Sequence, residues 1–252
     1  MSTAGVEFAK VSYTLAGERV LLREVSLQLE GGKTTALLGR SGSGKTTLLR
    51  MVNGLVIPTA GSVLVGGHEV SARGHTMKDR VLLRRGIGYV IQETGLFPHM
   101  TVERNAGMAL ELAGRGKDEI ARRGAEVLAL AGIDFEEFRA RYPWQLSGGQ
   151  RQRVGLARAL AMDPEVLLMD EPFGALDPIT RAEMQTMLRD LLARVQKTVL
   201  LVTHDLDEAL YLADRVVFLQ AGEVVADLPS AEVLGSSNAA VREYVGAVHR
   251  AR

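Results

Sequence analysis

The chain has 252 residues, of which 46% are hydrophobic and 24% charged, a balance typical of one large globular domain rather than of a disordered chain. Basic and acidic residues each number 30 and cysteine is absent, so bulk charge does not predict nucleic-acid binding, and disulfides and thiolate metal sites are excluded. No apolar run reaches the roughly 18 to 20 residues that span a bilayer, and the first ten residues lack signal-peptide features. We therefore expect a soluble chain that needs partner proteins for any membrane role.

The first hundred residues are predicted to alternate between short strands and turns. The segment 6–38 has the apolar alternation of antiparallel strands, interrupted at Ala16-Gly17 and Gly31-Gly32. Its last strand leads into a glycine-rich turn and a helix. Further strands are predicted at Gly61–Val65 and Ile87–Ile91.

The pattern changes to helical spacing between Thr101 and Tyr142, which predicts a helical insertion. Near-continuous apolar runs then return at Val166–Met169 and Thr198–Val202, with a helix predicted from about Pro178 to Arg194, and this order indicates a parallel βαβ unit. The remaining predicted elements are a strand at Val216–Leu219 and two short tail helices at Ala231–Leu234 and Val241–Val248. Together they predict an α/β fold with a mainly parallel sheet and an N-terminal antiparallel β subdomain.

A phosphate-binding loop is predicted where an apolar strand meets a helix, in the pattern GxxxxGK[ST]. The loop reads Gly39-Arg40-Ser41-Gly42-Ser43-Gly44-Lys45-Thr46, and with Thr47 we assign it to nucleotide binding. Glycines let backbone N–H groups surround phosphate oxygens, Lys45 can neutralise the β- and γ-phosphates, and the Thr46 hydroxyl can ligate Mg²⁺. The alternative is an ordinary glycine turn, which the full pattern and its flanks disfavour.

Two carboxylates, Asp170 and Glu171, follow the apolar run Val166–Met169. Because ligands of open α/β sheets bind beyond the carboxyl ends of strands, Asp170 is predicted on the Mg²⁺ side and Glu171 beside the water that attacks the γ-phosphate. Without the phosphate loop, an acidic turn would explain this pair better.

Gln92 and His204 also follow apolar strands. If the strands are parallel, both collect with Gly39 and Asp170 at one sheet edge, where Gln92 can bridge the metal and water and His204 can bind the γ-phosphate. Each residue alone is more often part of a capped turn. The other histidines show no ligand spacing and are predicted at the surface, so Mg²⁺ is the only metal expected: His68, His75, His99 and His249.

A second glycine-rich helix start, Leu146-Ser147-Gly148-Gly149-Gln150, precedes the helix-favouring segment Arg151–Met162. With this motif upstream of Asp170-Glu171, the chain resembles the ABC ATPase family over almost its whole length. The resemblance implies a P-loop NTPase fold in one domain over residues 1–252. Residues 1–100 and 143–252 would form the RecA-like core and β subdomain, and 101–142 the inserted α-helical subdomain.

The resemblance also implies roles for single residues. Tyr13 is similar to the aromatic that stacks on adenine, Gln92 to the Q-loop glutamine, Ala175-Leu176-Asp177 to the D-loop and His204 to the switch histidine. It implies an ATP-dependent, head-to-tail homodimer in which Lys45 of one copy and Ser147 of the other close on one ATP. Closure and reopening would drive membrane subunits through the Gln92 region and the helical insertion.

Two segments look like the importers of glycine betaine, choline and related quaternary amines: Ile91–Val102 and Pro172–Arg181. Two features depart from that branch. Arg151 stands where glutamine is frequent, and the sequence ends at Arg252 without the regulatory tandem domain that many such subunits carry. We therefore do not assume regulation by such a domain.

The expected function is ATP hydrolysis that energises solute import, by a peripheral subunit on the cytoplasmic face of the membrane. The expected partners are integral membrane permease subunits and, indirectly, an extracytoplasmic solute-binding protein, with no nucleic acid. An importer of an amino acid, nitrate or sulfonate is the main alternative, because the ATPase never touches the solute. ABC ATPases of DNA repair or translation carry coiled-coil insertions or two cassettes, which this chain lacks, and intact Glu171, Gln92 and His204 disfavour a sensor without turnover.

Overall fold

The computed structural model describes residues 4–15, 19–72 and 74–250, the last three by their backbone alone. The predicted break at Ala16-Gly17 lies outside these residues, whereas the strands and helices fall within them. In chain order they are β1 Val6–Thr14, β2 Val20–Leu29, β3 Thr34–Leu38, α1 Lys45–Val52, β4 Ala60–Val65, β5 His68–Glu69, α2 Met77–Arg85, β6 Ile87–Val90, α3 Val102–Leu112, α4 Lys117–Leu130, α5 Phe135–Phe138, α6 Gly148–Leu160, β7 Val166–Asp170, α7 Pro178–Val195, β8 Thr198–Thr203, α8 Leu206–Leu212, β9 Arg215–Gln220, β10 Glu223–Pro229 and α9 Ala239–Arg250.

The chain divides into two compact units, and the first comprises residues 1–84 and 197–252. One of its sheets is antiparallel, with strand order β2-β1-β4-β5. Val6, Phe8 and Val11 of β1 are buried, and an irregularity in the pairing between Phe8 and Val11 shifts the alternation of the strand by one residue. This sheet confirms the antiparallel β subdomain predicted near the N-terminus.

The other sheet of the first unit carries the phosphate loop. Strand β3 lies between β8 and β9 and is parallel to both, while β10 is antiparallel to β9. Every residue of β3 and β8 is buried, including the threonines at their ends, and the rest of each strand is apolar, as expected of strands covered on both faces. In this register Leu38 pairs with Thr203, so Gly39 and His204 leave the sheet at the ends of neighbouring parallel strands.

The second unit, residues 85–196, combines two parallel strands with helices. Strands β6 and β7 pair from Ile87 with Val166 to Val90 with Met169. Helices α3, α4 and α5 occupy most of the segment predicted to be helical, and Thr101 caps α3 by accepting a hydrogen bond from the N–H of Arg104. The mainly parallel α/β fold class is confirmed, whereas the proposed domain boundaries stay a prediction.

The chain end and one helix boundary differ from the prediction. The segment expected as a helix at Ala231–Leu234 contains only a 3₁₀ turn at Ser230–Glu232. Strand β10 had not been predicted. It follows a tight turn in which Ala221 and Gly222 both have positive φ, and this turn lets β10 pair antiparallel with β9. Helix α6 begins at Gly148 rather than Arg151, because Ser147 caps it. Within the described residues, no helix is long and apolar enough to cross a membrane.

Candidate active site

The loop between β3 and α1 has the backbone that phosphate binding needs. A Cβ at Gly39 would lie 2.2 Å from the carbonyl oxygen of Leu219, so a larger residue would collide with β9. Gly44 adopts φ 104° at the N-cap of α1 and offers no capping side chain. The first N–H groups of α1 therefore lack a side-chain acceptor from the cap, and such a helix start favours anions.

The polar side chains of the loop turn inward. Lys45 is buried, and its ammonium group donates hydrogen bonds to the carbonyl oxygens of Gly39, at 2.8 Å, and Arg40, at 3.1 Å. The buried hydroxyl of Ser43 has no hydrogen-bond partner among the described residues, which is costly unless a ligand completes its bonding. Ser41 and Gly42 are exposed, and Thr46 and Thr47 are half-buried at the start of α1. This loop fits the phosphates of a nucleotide.

Tyr13, the predicted adenine-stacking residue, lies in β1, opposite Leu22 of β2. A Cβ at Gly44 would come within 2.6 Å of Leu22 Cδ2, so β2 packs directly against the phosphate loop. Tyr13 is therefore carried by the strand next to the one that contacts the loop. It is half-buried, which leaves part of its ring accessible to a base.

His204 is exposed directly after β8, in a segment fixed by hydrogen bonds. The N–H of Asp205 donates to the Thr203 hydroxyl at 3.0 Å, and the Asp205 carboxylate caps α8 by accepting from two backbone N–H groups. The hydroxyl of Tyr244, on α9, donates to the carbonyl oxygen of His204 at 2.8 Å. A cleft of about 830 Å³ lies between the phosphate loop, this segment and α9.

In the second unit, the end of β7 brings three predicted residues together. Asp170 is buried at the last strand position, and Glu171 follows in the left-handed region at φ 45°. Gln92 Nε2 donates to Glu171 Oε2 at 3.4 Å, as the parallel register of β6 and β7 allows. Tyr89, which had not been predicted, donates from its hydroxyl to Asp170 Oδ2 at 3.4 Å. The sequence feature that could have indicated this role is a tyrosine hydroxyl in an otherwise apolar strand.

The second glycine-rich helix start forms a capping box. The Ser147 hydroxyl accepts from the N–H of Gln150 at 3.2 Å, and the Gln150 side chain accepts from the N–H of Ser147 at 2.8 Å. Ser147 is exposed and Gly148 half-buried, so this end of α6 faces solvent. A Cβ at buried Gly149 would come within 2.7 Å of Thr180 Cγ2, which shows how closely α6 and α7 approach.

Asp177 is the N-cap residue of α7. Its carboxylate accepts from the N–H of Thr180 at 3.1 Å. Hydrogen bonds from the Thr180 side chain and backbone hold the pKa of Asp177 below its usual value. The residue therefore stays ionised at neutral pH as a helix cap.

The remaining histidines lie at positions of differing exposure. His68 and His99 are exposed, and His75 is half-buried. The side chain of His249 lies outside the described part of the chain. Within that part, no group of three or more His, Cys, Asp or Glu side chains could hold a metal ion.

Comparison with known proteins links this geometry to one family. A family model described as ABC transporter matches residues 22–174. The carnitine transport ATP-binding protein OpuCA of Listeria monocytogenes is 40% identical over 242 residues, which are 96% of this chain and 59% of that protein. The osmoprotectant import ATP-binding protein OsmV of Salmonella typhimurium is 44% identical, over 88% of this chain and 57% of that protein. The chain thus spans well under two thirds of the length of these relatives.

Another relative matches over more of its own length. The glycine betaine uptake system ATP-binding protein YehX of Escherichia coli is 43% identical over 96% of this chain and 76% of that protein. Among solved structures, the dimeric post-hydrolysis state of the ATP-binding cassette MJ0796, bound to ADP and phosphate, superposes with a TM-score of 0.79. It is 34% identical and covers 89% of this chain and 98% of that one.

Proposed function

The chain belongs to the ABC transporter family, and on this premise we propose that it hydrolyses ATP to energise import of a small solute across the cytoplasmic membrane. The observation that carries the proposal is the environment of Glu171. This carboxylate follows a buried strand next to Asp170 and lies 3.4 Å from the amide of Gln92. A carboxylate so placed can orient and deprotonate a water molecule.

The phosphate loop supplies the binding half of the proposed reaction. The ammonium group of Lys45 and the N–H groups at the start of α1 bind the phosphates, and Ser43 completes its bonding with a phosphate oxygen. Tyr13 stacks on the base, and the imidazole of His204, exposed beside Gly39, donates to the terminal phosphate. These groups fix the nucleotide so that water attacks a positioned phosphorus atom.

The Mg²⁺ roles predicted from the sequence are part of the proposal. They belong to the Thr46 hydroxyl in the first unit and to Gln92 and Asp170 in the second. Asp170 is buried at a strand end, and hydroxyl, amide and carboxylate oxygens suit this hard cation. When bound, Mg²⁺ neutralises phosphate charge.

We further propose that two copies act as a head-to-tail homodimer. Ser147 to Gln150 of one copy, with Asp177, would face the nucleotide held by the loop of the other. The exposure of Ser147 at a helix start supports this role, as does the dimer reported for the MJ0796 cassette. Integral membrane permease subunits are the proposed partners, with an extracytoplasmic solute-binding protein acting indirectly and the chain bound peripherally to the cytoplasmic face.

The proposed solutes are glycine betaine, choline and related quaternary amines. The names of OpuCA, OsmV and YehX, which cite carnitine, osmoprotectants and glycine betaine, support this class. A relative from Bacillus subtilis is described as a choline transport ATP-binding protein. The solute never contacts this chain, so its class is inferred from kinship.

Phosphate release by the purified chain tests the ATPase proposal. Hydrolysis should require Mg²⁺ and stop when EDTA removes it. Lys45→Ala should lose nucleotide binding, measured with a fluorescent ATP analogue, whereas Lys10→Ala in β1 serves as a matched control. Absence of Mg²⁺-dependent hydrolysis by a folded wild-type chain, alone and with permease subunits, would refute the proposal.

A further inference from the structure

Helix α9 contacts both strand ends that carry predicted nucleotide-binding residues in the first unit. Val241 is fully buried in an apolar cluster with Leu38, Leu206 and Phe218. Burial of such side chains fixes the helix against the sheet. Phe218 pairs with Leu38, the residue directly before Gly39. The helix is thus seated beside the start of the phosphate loop.

Tyr244 extends this contact to the other strand end. Its ring packs edge-on against Phe218, with centroids 5.7 Å apart and planes at 77°. Its hydroxyl donates to the carbonyl oxygen of His204 at 2.8 Å. One side chain therefore spans from the strand beside the phosphate loop to the backbone of the predicted switch histidine.

The backbone of His204 is held from both sides. After it, Asp205 is tied to the Thr203 hydroxyl and caps α8. The hydrogen bond from Tyr244 fixes the peptide group between His204 and Asp205, and so limits the directions in which the exposed imidazole can leave the backbone.

A second contact joins α9 to the phosphate loop, since Glu243 forms an ion pair with Arg40 at 3.0 Å. Both side chains are exposed, and exposed ion pairs contribute little to stability.

We propose that Tyr244 is a positioning residue for His204, which makes helix α9 part of the hydrolysis machinery although none of the motifs identified in the sequence lies on this helix. The inference rests on the proposed ATPase function. Tyr244 does not touch the nucleotide in this proposal. It acts by holding His204 where its imidazole meets the terminal phosphate, so its loss should affect turnover more than nucleotide affinity.

Kinetics of Tyr244→Phe test the inference, since this variant keeps the ring on Phe218 and removes only the hydroxyl. We expect kcat to fall about 3- to 10-fold, the effect of one lost hydrogen bond, with KM for ATP unchanged and the melting temperature lowered by only about 2 to 4 °C. Glu243→Gln should change kcat less than about twofold. Tyr211→Phe, which removes the hydroxyl of exposed Tyr211 on α8, is the matched control.

The decisive comparison combines Tyr244→Phe with His204→Ala. If Tyr244 acts through His204, Tyr244→Phe should not lower kcat further in the His204→Ala background, because the imidazole that it positions is already absent. NMR of the imidazole groups of the five histidines gives a readout that does not depend on activity. The signal that is lost in His204→Ala identifies His204. Tyr244→Phe should shift or broaden that signal alone. An unchanged His204 signal, or an equal loss of kcat in both backgrounds, would overturn the inference. A wild-type chain without ATPase activity would instead refute the proposed function, and the NMR result would still decide the contact.

Discussion

Arg158 donates a hydrogen bond of 2.6 Å from its guanidinium group to the carbonyl oxygen of Gly95. The same group donates to the carbonyl oxygen of Thr94 at 2.7 Å, and burial lowers the pKa of Arg158. Thr94 and Gly95 both have positive φ and follow Gln92 closely. Arg158 therefore links helix α6, which begins at the second glycine-rich helix start, Ser147–Gln150, to the loop that carries the predicted Q-loop glutamine.

Replacing this guanidinium should weaken both the fold and the loop. Arg158→Lys keeps the charge, but a single ammonium group cannot reproduce the two hydrogen bonds that the planar guanidinium donates to the carbonyl oxygens of Thr94 and Gly95. We expect the free energy of unfolding to fall by about 2 kcal/mol, as for a lost hydrogen bond to a charged group, measured by denaturant titration. Arg153→Lys on the same helix is the matched control, because within the described residues the Arg153 side chain donates one hydrogen bond, of 3.1 Å, to the carbonyl oxygen of Ala131. Equal losses in the two variants would contradict the special role of Arg158.

Glu171 should control the chemical step. Glu171→Gln keeps the size of the side chain but removes the base, so turnover should fall about 10²- to 10⁴-fold. ATP binding should persist, because Lys45 and the phosphate loop are unchanged. Phosphate release and nucleotide titration measure the two quantities. Glu165→Gln, at an exposed position just before β7, is the control, and hydrolysis by Glu171→Gln at the wild-type rate would exclude Glu171 as the base.

The sequence predicts best the features that local pattern determines. The fully buried strands β7 and β8 contain the apolar runs Val166–Met169 and Val199–Val202. The phosphate loop needs glycine where backbone crowds it, as Gly39 is crowded by Leu219. Parallel order then placed Gly39 beside His204 and Gln92 beside Glu171.

Long-range side-chain contacts could not be predicted from the same patterns. Tyr244 reaches a carbonyl 40 residues away and Arg158 one 63 residues away. Nothing in either local sequence distinguishes these residues from ordinary surface positions on a helix. Strand β10 was missed for a related reason. Its residues are exposed or half-buried, so its sequence shows no clear apolar alternation, and the strand is defined by its pairing with β9.

The head-to-tail dimer predicts an ATP-dependent crosslink between two copies. The chain has no cysteine, so Ser41→Cys and Gly148→Cys, placed in separate chains, give one defined pair. In a Glu171→Gln background, ATP should allow a short bis-maleimide to join the two chains, seen as a doubled mass on a denaturing gel. Adding Lys45→Ala to both chains should abolish the product, and each single-cysteine chain alone is a further control. If ATP leaves the yield unchanged, the proposed arrangement is wrong.

The solute class predicts a transport phenotype. In a strain with no redundant importer, deleting this subunit should abolish uptake of labelled glycine betaine or choline and impair growth at high osmolarity, because no ATPase then drives the permease. Uptake of amino acids and sulfonates should stay intact. Complementation with the wild-type chain should restore uptake, whereas the matched Glu171→Gln chain, which retains the proposed docking surfaces but hydrolyses slowly, should not. Unchanged betaine and choline uptake after deletion would reject the solute class while leaving ATP hydrolysis untouched, because the solute is chosen by other subunits.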